Sequence, residues 1–278
     1  MKDIIRVSIV ILTVSAILLF INAKLANTSG TSGKNSITVF NWGEYLDPDL
    51  LKQFEEETGI KVIYETFDSN EAMMTKIEQG GTTYDIAVPS EYAIEKMNES
   101  GLLLPIDKSE LPNLKNIDPY FLDLAFDPEN KFSVPYFWGT LGIAYNPELL
   151  EGQTFQSWED LWDPSLEQEV VLVDSAREVI GMGLNALGYS LNSTNISELE
   201  EASDKLKSLK PNIKAIIGDE ITQLMVNGEA AVALTWSGQA ADMMADNEDI
   251  DYAVPEEGSN LWFDNMVIPK TVKNIDGA

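Results

Sequence analysis

Asp264 sits in the stretch 261–265, LWFDN, directly after Trp262 and Phe263 and just before Met266, Val267 and Ile268. A carboxylate in such a run is costly to bury unless something pairs with it. The partner could be an arginine in the core, a set of backbone donors, or a cation from outside. Acids, hydroxyls and aromatic rings gather at other points too. Glu44 stands between Trp42 and Tyr45, Ser90 and Tyr92 flank Glu91, Glu178 follows Asp174 and Ser175, and Trp236 precedes Ser237. The chain has no cysteine and no histidine. Thiolate zinc sites, cysteine nucleophiles and histidine-based triads are therefore excluded. Any enzyme chemistry would fall to carboxylates, Lys, Tyr or Ser.

The 278 residues carry 46 acids against 18 bases, a formal charge of −28. Such a surface repels nucleic-acid phosphates and anionic lipid heads and attracts cations, so no nucleic-acid partner is expected. Strong acidity also keeps an exported protein soluble. Lys2 and Arg6 precede the apolar run Val7–Ile21, the pattern of a signal peptide or, if extended, a membrane anchor over residues 1–26. Residues 27–36, NTSGTSGKNS, read as a linker, so the folded part is expected to begin near Ile37.

The elements that must position the candidate residues follow from periodicity and caps. Residues 37–42 read as a strand, followed by a helix capped by Asp47 with Pro48 first, Leu50, Leu51 and Phe54 on one face, and Gly59 as its stop. A strand over 60–67, a short helix from Asn70, a strand over 84–90 and a helix capped by Ser90 complete an alternation that predicts a parallel, doubly wound sheet. After Leu104 four prolines mark irregular chain, and 132–146 and 251–270 read as two extended crossings between lobes. Between the crossings, 157–165 reads as a loop with aromatic anchors. It is followed by a strand over 169–175, a helix with Met182, Leu184 and Leu187 inside, an amphipathic helix from Ile196, and a helix and strand ending at Trp236. No internal repeat is evident. An isolated tryptophan is more often core than ligand wall, so Trp138 and Trp162 are assigned to the core. In open α/β sheets ligands sit beyond the carboxyl ends of strands. That rule selects Asn41–Tyr45, Pro89–Tyr92, Asp174–Glu178 and Trp236–Ser237.

At these positions the sequence resembles the spermidine/putrescine-binding proteins of bacterial ABC transporters. The stretches that carry the resemblance are 41–73 (NWGEYLDPDLLKQFEEETGIKVIYETFDSNEAM), 84–92 (YDIAVPSEY), 126–140 (FDPENKFSVPYFWGT), 176–179 (AREV) and 261–270 (LWFDNMVIPK), in the family's order. The resemblance implies an α/β, two-lobed periplasmic-binding-protein-like fold of type II, hinged by extended crossover strands. One lobe is expected over 37–138 plus 263–278 and the other over 139–262. Family members continue past the last residue here, which implies that the first lobe is truncated at its C-terminal end. Carried over residue by residue, Trp42, Tyr45, Tyr92, Trp236 and Trp262 are implied as aromatic walls. Glu44 is implied near an amine, Ser90 as a polar contact, Glu178 on a terminal ammonium, and Asp264 on a secondary amine of spermidine or an end of putrescine. Ser175 stands where some members have an acid, with Asp174 one position earlier, and Gly43 stands where a threonine can occur. The implied partners are a polyamine and a membrane permease. The implied location is outside the cytoplasmic membrane, and the implied state is a monomer without cofactor.

A polyamine is a flexible alkyl chain bearing protonated amines. Its recognition needs carboxylates spaced like the amines and flat apolar walls for the methylenes. Two other readings stand beside it. A same-fold binder of a sugar or metal ion would want many neutral hydrogen-bonding groups or a tyrosine cluster. An exported glycosidase would need two paired carboxylates, and no acid pair forms a recognisable motif.

Overall fold

The structure is a computed structural model that describes residues 35–43 and 45–278. The expected leader or anchor, residues 27–34 of the linker, and Glu44 lie outside the described residues. The described residues form two compact units, one running from residue 35 to Tyr136 together with Asp264–Ala278 and the other over Phe137–Phe263. In chain order the principal elements are β1 (Ser36–Trp42), α1 (Pro48–Thr58), β2 (Lys61–Phe67), α2 (Asn70–Gln79), β3 (Ile86–Ala87), α3 (Glu91–Glu99) and β4 (Ser133–Tyr145). There follow β5 (Val170–Val173), α4 (Ala176–Ala186), α5 (Ile196–Ser208), β6 (Ile213–Ile217), α6 (Ile221–Val226), β7 (Val232–Trp236), α7 (Ser237–Asp246), β8 (Asp251–Ala253) and β9 (Leu261–Val267). The chain leaves the first unit inside β4 and re-enters it inside β9.

Local chemistry sets the first unit's elements. Asp47 accepts from the Asp49 N–H, Pro48 opens α1, and Gly59 closes it at φ 70°, a left-handed cap that a side chain would strain. Ser69 caps α2 through the Ala72 N–H, and Met73, Met74 and Ile77 recur at helical spacing on its buried face. β1 pairs in parallel with β2 and β3, and β3 pairs antiparallel with β9. Beneath this sheet Phe40 stacks on Tyr84 at 4.2 Å and meets Phe67 edge-on at 4.9 Å. Met73, Ile94, Met97 and Val267 fill the rest of that core.

In the second unit β5 runs parallel to β6 and β7, while β4 runs antiparallel to β7 and β8. Alternate residues of these strands serve two cores. Ile143, Leu172 and Leu234 pack with Trp158, Leu161 and Met182 on one face. Ala144, Val171 and Ala233 pack with Met225 and Met243 on the other. Both faces are covered by helices, which is why these strands are continuously apolar.

Several expectations are corrected. The sheets are mixed rather than parallel, because β4 and β9, the strands on which the chain changes unit, run against their neighbours. The strand expected over 84–90 is reduced to Ile86–Ala87 with an isolated bridge between Ser90 and Asp264. Of the apolar face of α1, Leu50 is exposed and Leu51 and Phe54 are only half-buried. Leu187 lies past the end of α4 and is exposed, not inside it. The loop after Gln156 forms 3-10 turns anchored by Trp158, which is fully buried. Trp162 packs at the edge of the core, as assigned, under the Lys205 ammonium at 4.4 Å. Trp138 is 52% exposed and is not a core residue.

Candidate functional site

In the first unit the ends of β1 and β3, the start of α2 and the middle of β9 bring four of the candidate residues into one network. Asp264, 5% exposed, is its centre. Its Oδ2 accepts from the Tyr45 hydroxyl at 2.7 Å and its Oδ1 from the Ser90 hydroxyl at 2.6 Å. These are short, charge-assisted geometries. Backbone pairing holds the acid in place, since the Asn265 N–H donates to the Pro89 carbonyl at 3.0 Å. Burial first, and then the neighbouring Asp264 charge, push the Tyr45 phenol far above its ordinary range. Tyr45 is therefore protonated at neutral pH and serves as a donor.

Ser90 precedes α3 as its cap residue, yet its side chain makes no capping bond. The expected cap role is not made: the hydroxyl oxygen accepts from Asn70 Nδ2 instead of from an α3 backbone N–H, and its hydrogen goes to Asp264. Asn70 Nδ2 lies 3.0 Å from both the Ser90 and the Tyr92 hydroxyls. The Tyr92 hydroxyl also donates to Glu71 at 3.2 Å. The Tyr136 hydroxyl donates to the Tyr45 carbonyl at 2.6 Å, fixing the loop that carries Tyr45. Trp42 is tied by its indole N–H to the Val88 carbonyl at 2.9 Å and packs against Phe67 at 4.5 Å. It is thus partly a core residue, half-buried at the end of β1. Glu44 lies outside the described residues.

The second unit gathers Glu178, Trp236 and Trp262. Glu178, in the first turn of α4, is 7% exposed, so it is not the solvated acid that a helix start usually carries. Both its oxygens accept from Asn260 Nδ2, at 3.0 and 3.2 Å, and the Trp236 indole N–H approaches at 3.5 Å. A small cavity of about 10 Å³ beside Glu178 is lined also by Arg177, Asn185 and Asn260. Burial pushes the Tyr252 phenol up to about 12; a hydrogen bond with Thr140 opposes this, and the Glu178 charge adds to it. Trp262 lies on Gly139, where a Cβ would fall 2.4 Å from the indole and 2.5 Å from the Ser237 hydroxyl. Its indole nitrogen is buried with no hydrogen-bond partner among the described residues. Asp174 is exposed and Ser175 half-buried. Ser175 holds the cap position of α4 without a side-chain capping bond.

The residues not singled out from the sequence are Asn70, Asn260, Tyr136 and Tyr252. Asn70 and Asn260 touch candidate side chains from far away in sequence, Tyr136 touches the Tyr45 backbone, and Tyr252 is linked to Glu178 by charge alone. Asn70 directly follows the capping Ser69, and Asn260 directly precedes LWFDN. Those adjacencies are the only local signals for them. Among the described residues no group of three or more acids could hold a metal ion.

The model of the bacterial extracellular solute-binding protein family matches residues 49–278. A spermidine/putrescine-binding periplasmic protein of Escherichia coli K12 is 42% identical over 88% of this chain and 70% of its own length. A putrescine-binding periplasmic protein of the same organism, PotF, is 36% identical over 92% and 75%. Among solved structures, a putative spermidine/putrescine ABC transporter from Listeria monocytogenes has 62% identity and a TM-score of 0.85, covering 87% of this chain and 75% of that one. The Tp0655 lipoprotein of Treponema pallidum has 31% identity and a TM-score of 0.81 over 87% and 77%. The family match spans most of the chain and establishes that this protein belongs to the bacterial extracellular solute-binding proteins, with their mixed α/β periplasmic-binding fold, a family of binding proteins rather than enzymes.

Proposed function

We propose that this chain captures spermidine or putrescine and delivers it to a membrane permease. The observation that carries the reading is Asp264, a buried carboxylate held by two hydroxyl donors inside an aromatic run. A carboxylate oriented in this way suits an arriving ammonium. Each charge-assisted hydrogen bond contributes about 1.5–3 kcal/mol and each cation–π contact about 0.5–2 kcal/mol. In this reading Asp264 holds the secondary amine of spermidine or one end of putrescine, and Glu178 holds a terminal ammonium. Trp42, Tyr45, Tyr92, Trp236 and Trp262 cover the methylenes, Ser90 adds a polar contact, and Glu44 lies near an amine. Trp262 and Asp264 are two residues apart on β9, the spacing that puts side chains on one face of a strand. The net charge of −28 draws cations to the surface. The names of the relatives support the same solute class.

A thermal-shift panel tests the class of solute. Spermidine and putrescine are expected to raise the melting temperature, while neutral sugars and divalent metal ions leave it unchanged. A shift with a sugar or metal ion and none with either polyamine contradicts the reading. Gly139→Ala gives a local check on Trp262, because the added methyl must displace the indole. Spermidine affinity is expected to fall about tenfold, the worth of one lost cation–π wall. Titration calorimetry reads this directly, and unchanged affinity would remove Trp262 from the site.

A further inference from the structure

Asn70, 4% exposed, opens α2 and has no role in the helix cap, which Ser69 provides. Its amide can be oriented by elimination. The Ser90 backbone N–H, 3.1 Å away, can only donate, so the amide oxygen faces it. The amide nitrogen then faces the Ser90 and Tyr92 hydroxyls, each at 3.0 Å, and donates to both. A hydroxyl that accepts on one side must send its single hydrogen elsewhere. For Ser90 that hydrogen goes to Asp264 at 2.6 Å, and for Tyr92 it goes to Glu71 at 3.2 Å.

We propose that Asn70 is a positioning residue for the cation site: its amide sets the Ser90 hydroxyl as a donor to Asp264 and so holds that carboxylate in one orientation for the ligand amine. This rests on the polyamine reading of Asp264. The physical point is preorganisation. A carboxylate held from Oδ1 by Ser90 and from Oδ2 by Tyr45 loses no rotational freedom when the ammonium arrives.

The isosteric variant Asn70→Asp separates this from simple electrostatics. It keeps an acceptor for the Ser90 N–H but replaces the donor by a second acceptor. The Ser90 hydrogen then turns to residue 70, and a lone pair faces Asp264. It also adds a negative charge near the site, which by Coulomb attraction alone would tighten spermidine binding. The positioning role predicts the opposite, a roughly tenfold loss of spermidine affinity by titration calorimetry. In a Ser90→Ala background most of that loss should vanish, because the hydroxyl through which Asn70 acts is gone. Equal or tighter binding by Asn70→Asp, or the same loss in both backgrounds, overturns the proposal. Melting curves of the free variants report folding. If Asn70→Asp does not fold, Asn70→Ala carries the test, with a several-fold loss expected that is absent in the Ser90→Ala background. If the unmodified chain binds neither spermidine nor putrescine, the polyamine reading itself fails, and that result is distinct from any outcome of the variants.

Discussion

Asp264→Asn is expected to weaken spermidine binding by about 100-fold, or about 2.7 kcal/mol. In the proposed reading the variant removes the negative charge opposite the ligand's ammonium at a buried position, where truncating one member of a charged pair is most costly. The fold should survive. An amide oxygen can still accept from Ser90, and the new NH2 group can donate to Tyr45, whose hydroxyl then accepts. The free protein also loses the desolvation cost of a buried carboxylate, so its melting temperature should stay the same or rise. Calorimetry and a melting curve on the same sample check both halves. A variant that melts far lower and, once refolded, binds spermidine normally would show Asp264 to be a structural acid.

Glu178→Gln is expected to cost about 10- to 100-fold in spermidine affinity, the range for one hydrogen bond to a charged partner. The substituted side-chain amide can keep its oxygen toward Asn260, so the donor that holds Glu178 in the unmodified chain stays satisfied. What is lost, in the proposed reading, is the charge facing a terminal ammonium. That assignment has a chemical counterpart. Acetylating the terminal amine that Glu178 holds removes the same charge pair from the ligand's side. The unmodified protein should therefore discriminate strongly against one of the two mono-acetylated spermidines, and Glu178→Gln should lose most of that discrimination. If Glu178→Gln discriminates as sharply as the unmodified chain, the terminal ammonium is held elsewhere.

The parts of the fold legible in the sequence are those written in local chemistry. Asp47, Pro48 and Gly59 mark both ends of α1 because caps act within one turn. The strand-end rule selects Asn41–Tyr45, Pro89–Tyr92, Asp174–Glu178 and Trp236–Ser237, and β1, β3, β5 and β7 end at or just before these stretches, because apolar runs delimit those strands. The direction of β4 and β9 was not legible. Alternation of side chains along a strand is the same whichever way its neighbour runs. The exposure of Trp138 carries no local signal either, since burial depends on what packs opposite. The network behind the candidate site was the least legible part. Asn70 reaches Ser90 across 20 residues and Asn260 reaches Glu178 across 82, and a neutral amide in a loop or helix start looks the same with or without such a partner. Ser90 shows the same limit: the sequence offers a helix cap and an acid as partners for one hydroxyl, and in the folded chain its hydrogen goes to the acid and its oxygen accepts from Asn70 rather than from the helix.

The central claim is that buried carboxylates here hold a polyamine. Titration calorimetry of the unmodified chain with spermidine and putrescine, at low and at physiological salt, tests it most directly. Saturable binding with one ligand per chain is expected, with an affinity that weakens only modestly as salt rises because the paired charges are buried. No heat with either amine, in a sample whose melting curve shows it to be folded, would contradict the account.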